Sequence, residues 1–326
     1  MYKNNMLRII LCLWVSATTS IAASAQPAAM PVTSCGAADT LVVVQAGRLP
    51  ALLGSPVDQI TLLHYRDQHL SPITVQIDQR DTEGRFLLGD ENTPAVPTRF
   101  LSPMDEIVFR MADRATRLPP DAKTSEWTSL VEIEVGNPQT GNSGWVYAKA
   151  SDVPRPMPDA TLISYTKKTD SVETGRYKIG FSRQRPFLIE SFQWGLSKQG
   201  WSPNVLDAMK IRHQGNMLGF LPFRRTSNDY TSRLSYVKEG PLRVIRRTEN
   251  RVRILWKFKT PALYIDYVMM PDSFIMDTIV DIPFKLGLIL RDVETLTTVD
   301  WRDEPALPQL TIRTPATTTS LLVNGQ

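Results

Sequence analysis

The residues best suited to chemistry lie between positions 251 and 259. There Arg251, Arg253, Lys257 and Lys259 alternate with Val252, Ile254, Trp256 and Phe258. Extended backbone sends successive side chains to opposite faces. A strand here turns four cations to one side, interrupted only by Leu255, and four apolar groups to the other. Such a row is an anion-binding surface for acidic glycans, lipid head groups or an acidic partner, and arginine suits it through its planar donor fork. Arg243 and Arg247 on the preceding strand extend the row if the register permits. The opposing reading sets Asp266 on the next strand, and Asp277 and Asp281 on the one after, against these cations. Cross-strand pairs of opposite charge contribute roughly 0.2–1 kcal/mol each, and the row is then a self-compensated solvent face.

Aromatic residues add a second argument. Trp194, Trp201, Phe220, Phe223 and Tyr230 fall around Arg224 and Arg225. Exposed, they stack sugar rings beside a guanidinium; buried, they supply large core area. The ligand-binding set nominated by the sequence is Arg251, Arg253, Lys257, Lys259, Arg224, Arg225 and Trp201. No catalytic residue is nominated. The chain has no Gly-x-Ser-x-Gly, no phosphate-cradling glycine loop and no His-Glu-x-x-His. Carboxylate pairs occur at Asp78 and Asp81 and at Asp105 and Glu106, but nothing in the sequence sets them across a glycosidic bond. A lyase with a Tyr, Arg or His base would leave no linear signature. His64 and His69 are spaced onto opposite faces of a strand, which argues against zinc. Asp90, Glu91 and Asn92 cluster after Gly89 without completing a calcium loop, so a solvated turn is expected there. Neither a metal nor a cofactor is implied.

The segment Ile73-Thr74-Val75-Gln76-Ile77-Asp78-Gln79-Arg80-Asp81, followed by Met104-Asp105-Glu106-Ile107-Val108-Phe109, resembles a pattern in uncharacterised secreted bacterial β-rich proteins. In those, a strand carrying Val-Gln-x-Asp-x-Arg-Asp precedes an acidic loop and an Asp-Glu-hydrophobic strand. Where such relatives carry an Asp/Asn/Gly-rich loop, this chain has Gly89-Asp90-Glu91-Asn92-Thr93-Pro94. The resemblance implies no activity. On physical grounds Asp78, Arg80 and Asp81 are expected to form a structural polar network at a strand end.

The elements that must position these residues read as strands. Leu41–Val44, Ile60–Leu63, Ile73–Ile77, Ile107–Phe109, Leu130–Val135 and Trp145–Ala148 carry β-branched or alternating apolar residues. The last two form a hairpin across Gly141-Asn142-Ser143-Gly144. Tyr177–Phe181 and Phe187–Phe192 follow. Ser202 before Pro203, with Val205, Leu206 and Met209 at helical spacing, predicts one helix over 203–212. Leu242–Arg247, Arg251–Lys259, Leu263–Met270 and Phe274–Ile282 then form a meander. Their links, Thr248-Glu249-Asn250, Thr260-Pro261 and Pro271-Asp272-Ser273, are too short for parallel crossovers. The expected fold is mainly β, an antiparallel β-sandwich or supersandwich-like extended sheet with one short helix. Pro154, Pro156 and Pro158 mark a candidate boundary between an N-terminal domain over 26–151 and a C-terminal one over 160–326.

The first 25 residues read as a signal peptide. Lys3 and Arg8 precede the apolar run Ile9–Val15, and Ala23-Ser24-Ala25 offers a small-x-small cleavage site before Gln26. Ser16, Thr18, Thr19 and Ser20 break the run well short of the roughly 20 apolar residues of a membrane span. No transmembrane span is expected after cleavage, and the protein is expected in the periplasm or outside the cell. Cys12 leaves with the leader and Cys35 remains alone, so an intramolecular disulfide is excluded. The formal charge of +4 includes Lys3 and Arg8, which argues against general nucleic-acid binding. The charge is uneven: residues 198–259 hold fourteen Lys or Arg against four Asp or Glu, and residues 260–326 hold nine acidic against four basic. The expected function is binding of a polysaccharide or another anionic envelope component. The alternatives are a carbohydrate-active enzyme of lyase or epimerase type, and an envelope assembly protein.

Overall fold

A computed structural model describes residues 7–13, 40–88, 99–119, 130–136, 141–156, 161–196, 200–280, 290–302, 311–312 and 321–322. In chain order the strands begin with β1 (Leu7–Leu13), β2 (Leu41–Gln45), β3 (Ile60–Arg66), β4 (His69–Ile73), β5 (Gln76–Asp78), β6 (Glu106–Arg110), β7 (Val131–Gly136) and β8 (Ser143–Ala150). They continue with β9 (Ile163–Thr166), β10 (Ser171–Thr174), β11 (Tyr177–Phe181), β12 (Ile189–Leu196), β13 (Gly200–Trp201), β14 (Leu206–Met217), β15 (Leu221–Thr226) and β16 (Tyr230–Lys238). The last are β17 (Val244–Leu255), β18 (Phe258–Lys259), β19 (Leu263–Met269), β20 (Phe274–Val280), β21 (Leu290–Trp301), β22 (Thr311–Ile312) and β23 (Leu321–Leu322). The protein is mainly β, with several antiparallel sheets. Among the described residues helix is confined to three-residue 3-10 turns such as Ala46–Arg48 and Ser227–Asp229. No described helix is long and apolar enough to cross a membrane.

The chain forms two compact units. One holds residues 36–164 together with 238–244; the other holds 1–35, 165–237 and 245–326. The first unit has two sheets, ordered β2-β6-β5 and β4-β3-β8-β7. A single apolar cluster joins Ile77, Ile107 and Phe109 of one sheet to Leu62, Ile133, Val135, Val146 and Ala148 of the other, so this unit is a sandwich. β7 shows how the pattern works: Ile133 and Val135 turn inward while Glu132 and Glu134 stay out. Its pairing with β8 is the hairpin anticipated from the sequence. The alternating run Ile73–Ile77 is not one strand. Residues 73–79 are all buried, because the chain passes here from Ile73, paired with Leu62, to Gln76, paired with Val108 in the other sheet.

The second unit contains the sheets β1-β20-β19-β17-β16, β13-β12-β11-β10-β9 and β15-β14-β21. The rings of Phe181 on β11 and Tyr267 on β19 meet edge-on at 5.0 Å, and the Tyr267 hydroxyl donates to the Phe187 carbonyl at 2.9 Å. Arg246 lies wholly inside this core. It survives there because Asp170 accepts two of its donors, at 2.8 and 2.5 Å, and the Pro186 carbonyl accepts a third at 2.6 Å.

Two sequence expectations fail in this unit. No helix spans 203–212; the segment leads into β14, paired with β15 and β21. The pairing shifts between Leu206 and Ala208, so Asp207 is an extra residue. The buried Leu206 and Met209 therefore lie three apart, which mimics helical spacing. Ser202 caps nothing: its hydroxyl accepts the Trp194 amide at 3.1 Å. Thr248-Glu249-Asn250 is not a link either. It sits inside β17, where Arg246, Thr248, Asn250, Val252 and Ile254 point inward and alternate with Arg247, Glu249, Arg251 and Arg253. The Asn250 amide nitrogen donates to the Thr248 hydroxyl at 2.9 Å within the strand, while the buried Asn250 Oδ1 has no hydrogen-bond partner among the described residues.

Candidate binding surface

The β17–β18 hairpin carries the cations nominated by the sequence. Arg253 pairs with Lys259 and Leu255 with Phe258, leaving Trp256 and Lys257 as a two-residue turn. This turn breaks the expected alternation. Val252 and Ile254 are buried, but Trp256 is 82% and Phe258 71% exposed, because beyond Leu255 the strand has left the core it was facing. Trp256 also holds φ at 45°. That left-handed conformation suits Gly, Asn or Asp in hairpin turns and is an outlier for a bulky side chain.

The cations meet carboxylates other than those anticipated. Arg251 pairs with Glu249 at 3.2 Å on its own strand, and Glu249 also takes Arg233 at 2.6 Å. Arg253 pairs with Asp229 at 2.6 Å. Asp229 is fixed in turn by accepting the Thr226 amide at 3.0 Å. Its partial burial favours the neutral acid, but the Thr226 amide and Arg253 outweigh that and hold its pKa below the usual value. Asp266 binds Arg247 through two contacts of 2.7 Å, Asp277 lies opposite Asp266 in the register, and Asp281 is outside the described residues. Arg225 donates to the carbonyls of Arg253, at 2.7 Å, and Ile254. It therefore buttresses the hairpin from β15. Lys259 donates to the Thr231 hydroxyl at 2.8 Å. Among the described residues neither Lys257 nor Lys259 has a carboxylate partner, and Arg224 is exposed.

Arg251, Arg253, Lys257, Lys259 and Arg225 are thus gathered at one hairpin, with Arg224 adjacent on β15. Trp201 is not among them: it is half-buried on β13, paired with Gly195 in another sheet. Trp194 and Phe223 are core residues, whereas Phe220 is 73% exposed. The sequence reading missed Trp256 and Phe258 as surface groups. The signal was Lys257 standing between two aromatics where a continuous strand had no need to turn.

His213 and Tyr230 form a second constellation. A ring nitrogen of His213 and the Tyr230 hydroxyl share a hydrogen bond of 2.5 Å, the other ring nitrogen meets the Thr295 hydroxyl at 2.8 Å, and Phe187 stacks on Tyr230 at 4.5 Å. Burial lowers the His213 pKa and raises that of Tyr230, so both are neutral near pH 7. Their hydrogen bonds link β16 to β14 and β21.

The motif around Asp78 belongs to the first unit. Asp78 is fully buried and accepts from Arg243 at 2.5 Å, Lys238 at 2.7 Å and Gln76 at 2.9 Å. Glu106 joins Arg80, at 2.7 Å, to Arg243, and Arg80 lies 3.7 Å over the Phe86 ring. Asp105 accepts the amides of Ser102 and Arg80 at 2.8 and 2.9 Å, and Asp81 accepts the Arg85 amide at 2.7 Å. The Gln76 side-chain Oε1 takes the amides of Leu242 and Arg243 at 3.1 and 2.9 Å. The motif is a clasp that holds residues 238–244 against β5. Its carboxylates are engaged by protein donors. Among the described residues no group of three His, Cys, Asp or Glu is placed to hold a metal; Asp90, Glu91 and Asn92 lie outside them. An open cleft of about 460 Å³ in the second unit is lined by Thr169, Ser182, Arg183, Gln184, Glu190 and Ser191. Its polar walls differ from the largely apolar lining of small-molecule sites.

No family model matches the chain, and no curated protein matches it. Among solved structures, an α-mannosidase from Enterococcus faecalis V583 is similar over 79% of the chain, at 10% identity and a TM-score of 0.37. A glycosyl hydrolase family 38 protein from Enterococcus faecalis is similar over 79%, at 11% identity and a TM-score of 0.38. The chain spans 29% and 30% of the lengths of those two chains. Likeness at this level carries no functional argument.

Proposed function

We propose that this chain is an exported binding protein that takes an acidic polysaccharide on the β17–β18 hairpin. One observation carries the reading. Trp256 is 82% exposed at a hairpin tip in a backbone conformation unfavourable to it. A bulky aromatic held out at conformational cost points to a partner for its ring. The apolar faces of pyranose rings stack on an indole, and Lys257 in the same turn, with Lys259 on β18, offers ammonium groups for uronic carboxylates. Arg253, held by Asp229 on one side, retains guanidinium donors for the same purpose. The leader-like N-terminus is the support for placing the protein with envelope polysaccharides.

Affinity electrophoresis of the protein through gels cast with alginate or polygalacturonate tests the reading. Retardation is expected, with loss on Trp256→Ala and weakening on Lys257→Ala. Migration unaffected by any acidic or neutral polysaccharide overturns the binding role. Retardation that survives Trp256→Ala overturns the hairpin as the site.

A further inference from the structure

The β14–β15 turn carries a second group of exposed apolar side chains, separate from the Trp256 hairpin. Met217 and Leu221 pair across its base, and Leu218, Gly219 and Phe220 form the tip. Leu218 has φ of 55° and Gly219 of 84°. Glycine takes that conformation freely; leucine does not, and Asn at this place would relieve the turn. Phe220 is 73%, Leu218 56% and Leu221 41% exposed. Single exposed apolar residues are ordinary, but three at one tip, one of them in an unfavourable conformation, call for a partner.

The chemistry of that partner follows from what stands behind the tip. Arg224 on β15 and Arg291 on β21 are both exposed, and Arg291 pairs with Asn216 close to the turn. The nearest side-chain atoms facing Gly219 are those of Arg291, 3.8 Å from where a Cβ would sit. Asp292 and Glu294 on the same strand are exposed as well, and Glu294 accepts from the Gln214 amide at 2.6 Å. An apolar tip with the Arg291 guanidinium beside it and the exposed Arg224 on the adjoining strand matches a bilayer surface, where apolar side chains enter and arginines reach the phosphates. The shape argues the same way. A three-residue turn cannot bury the roughly 1,000 Å² that a stable protein interface needs, whereas a fluid interface yields around a narrow projection.

We propose that the β14–β15 turn seats this protein on anionic lipid, with Leu218, Phe220 and Leu221 entering the interface and Arg224 and Arg291 meeting lipid phosphates. The polysaccharide reading rests on other residues, and either stands without the other.

Co-sedimentation of the protein with phosphatidylglycerol-containing vesicles, and with pure phosphatidylcholine vesicles, tests this. Binding is expected to the first, falling with salt, and to be much weaker to the second. Phe220→Ser and Leu218→Asn should each lower partition by roughly tenfold, and Arg224→Gln with Arg291→Gln should flatten the salt dependence. All four positions are exposed, so the thermal transition checks that the variants fold. Failure to sediment with anionic vesicles overturns the proposal, as does binding indifferent to Phe220→Ser and Leu218→Asn. Concentration-dependent self-association of the parent chain, abolished by the same variants, overturns it in favour of a second copy as the occupant.

Discussion

Arg243 donates its Nε proton to Asp78 at 2.5 Å, with both side chains almost wholly out of water. The contact joins β5 to a segment that returns to the first unit after a long excursion of the chain. Lys238 and Gln76 complete the shell of the carboxylate, and Glu106 takes the other arm of Arg243.

Removing one partner from such a pair leaves a charge stranded in low dielectric. Arg243→Met should lower stability by roughly 3–5 kcal/mol in urea unfolding. Lys238→Met should cost less, since the Lys238 side chain is 29% exposed and its stranded partner keeps Arg243. Equal costs for the two would show that the pair does not dominate the clasp.

Gly240 has no room for a side chain. A Cβ there would lie 2.2 Å from the Gln76 side-chain Oε1, the acceptor for the Leu242 and Arg243 amides. Gly240→Ala should destabilise by about 1–3 kcal/mol and speed hydrogen exchange at those two amides. With Gln76→Ala in the same chain the two costs should fall short of additivity, because the clash is gone.

Acid should weaken the same clasp. Burial alone pushes the Asp78 pKa up, but Arg243, Lys238 and Gln76 together outweigh it and hold the pKa below 3.8. The unfolded chain therefore binds this proton first. The stabilisation is complete above about pH 5 and is lost as pH falls below 3.8 and through the lower folded value. Urea midpoints measured from pH 7 downward should decline in that window, and Asp78→Asn should flatten the decline.

Trp256→Asn separates fold from function. Asparagine accepts the left-handed turn, so stability should rise by roughly 1 kcal/mol while retention on acidic polysaccharide disappears. A loss of stability would mean that the indole packs usefully on its own chain, contrary to its exposure.

Much of the architecture was legible where period two and turn chemistry agreed. Val131–Gly136 and Ser143–Ala150 pair as their alternation requires, and β19 and β20 meet across Pro271-Asp272-Ser273. Failures arose where a local irregularity imitated another signal. One extra residue at Asp207 gave β14 a helical spacing. Thr248 and Asn250, polar yet buried inside the strand, gave the middle of β17 the look of a turn. At the candidate surface the cationic residues were legible, and Asp266 pairs with Arg247 from the next strand as its placement suggested. Asp229 and Glu249, which hold Arg253 and Arg251, were not anticipated, because loop geometry and same-strand contacts are not encoded in the alternation of one strand. The exposure of Trp256 escaped notice because an aromatic in phase with Val252 and Ile254 reads as core until the strand is known to end at Leu255.

The path of the chain through its first unit has a consequence for biosynthesis. Residues 36–164 contain both sheets of that sandwich, yet the peptide that neutralises Asp78 and satisfies Gln76 is 238–244. A nascent or truncated product ending at Ser164 would leave the Asp78 anion and the Gln76 side-chain oxygen, which takes two amides from that segment, without their partners. Maturation of the earliest-made portion must therefore wait until residues 165–237 have been synthesised, and a soluble fragment will need the later segment supplied in cis or as a peptide.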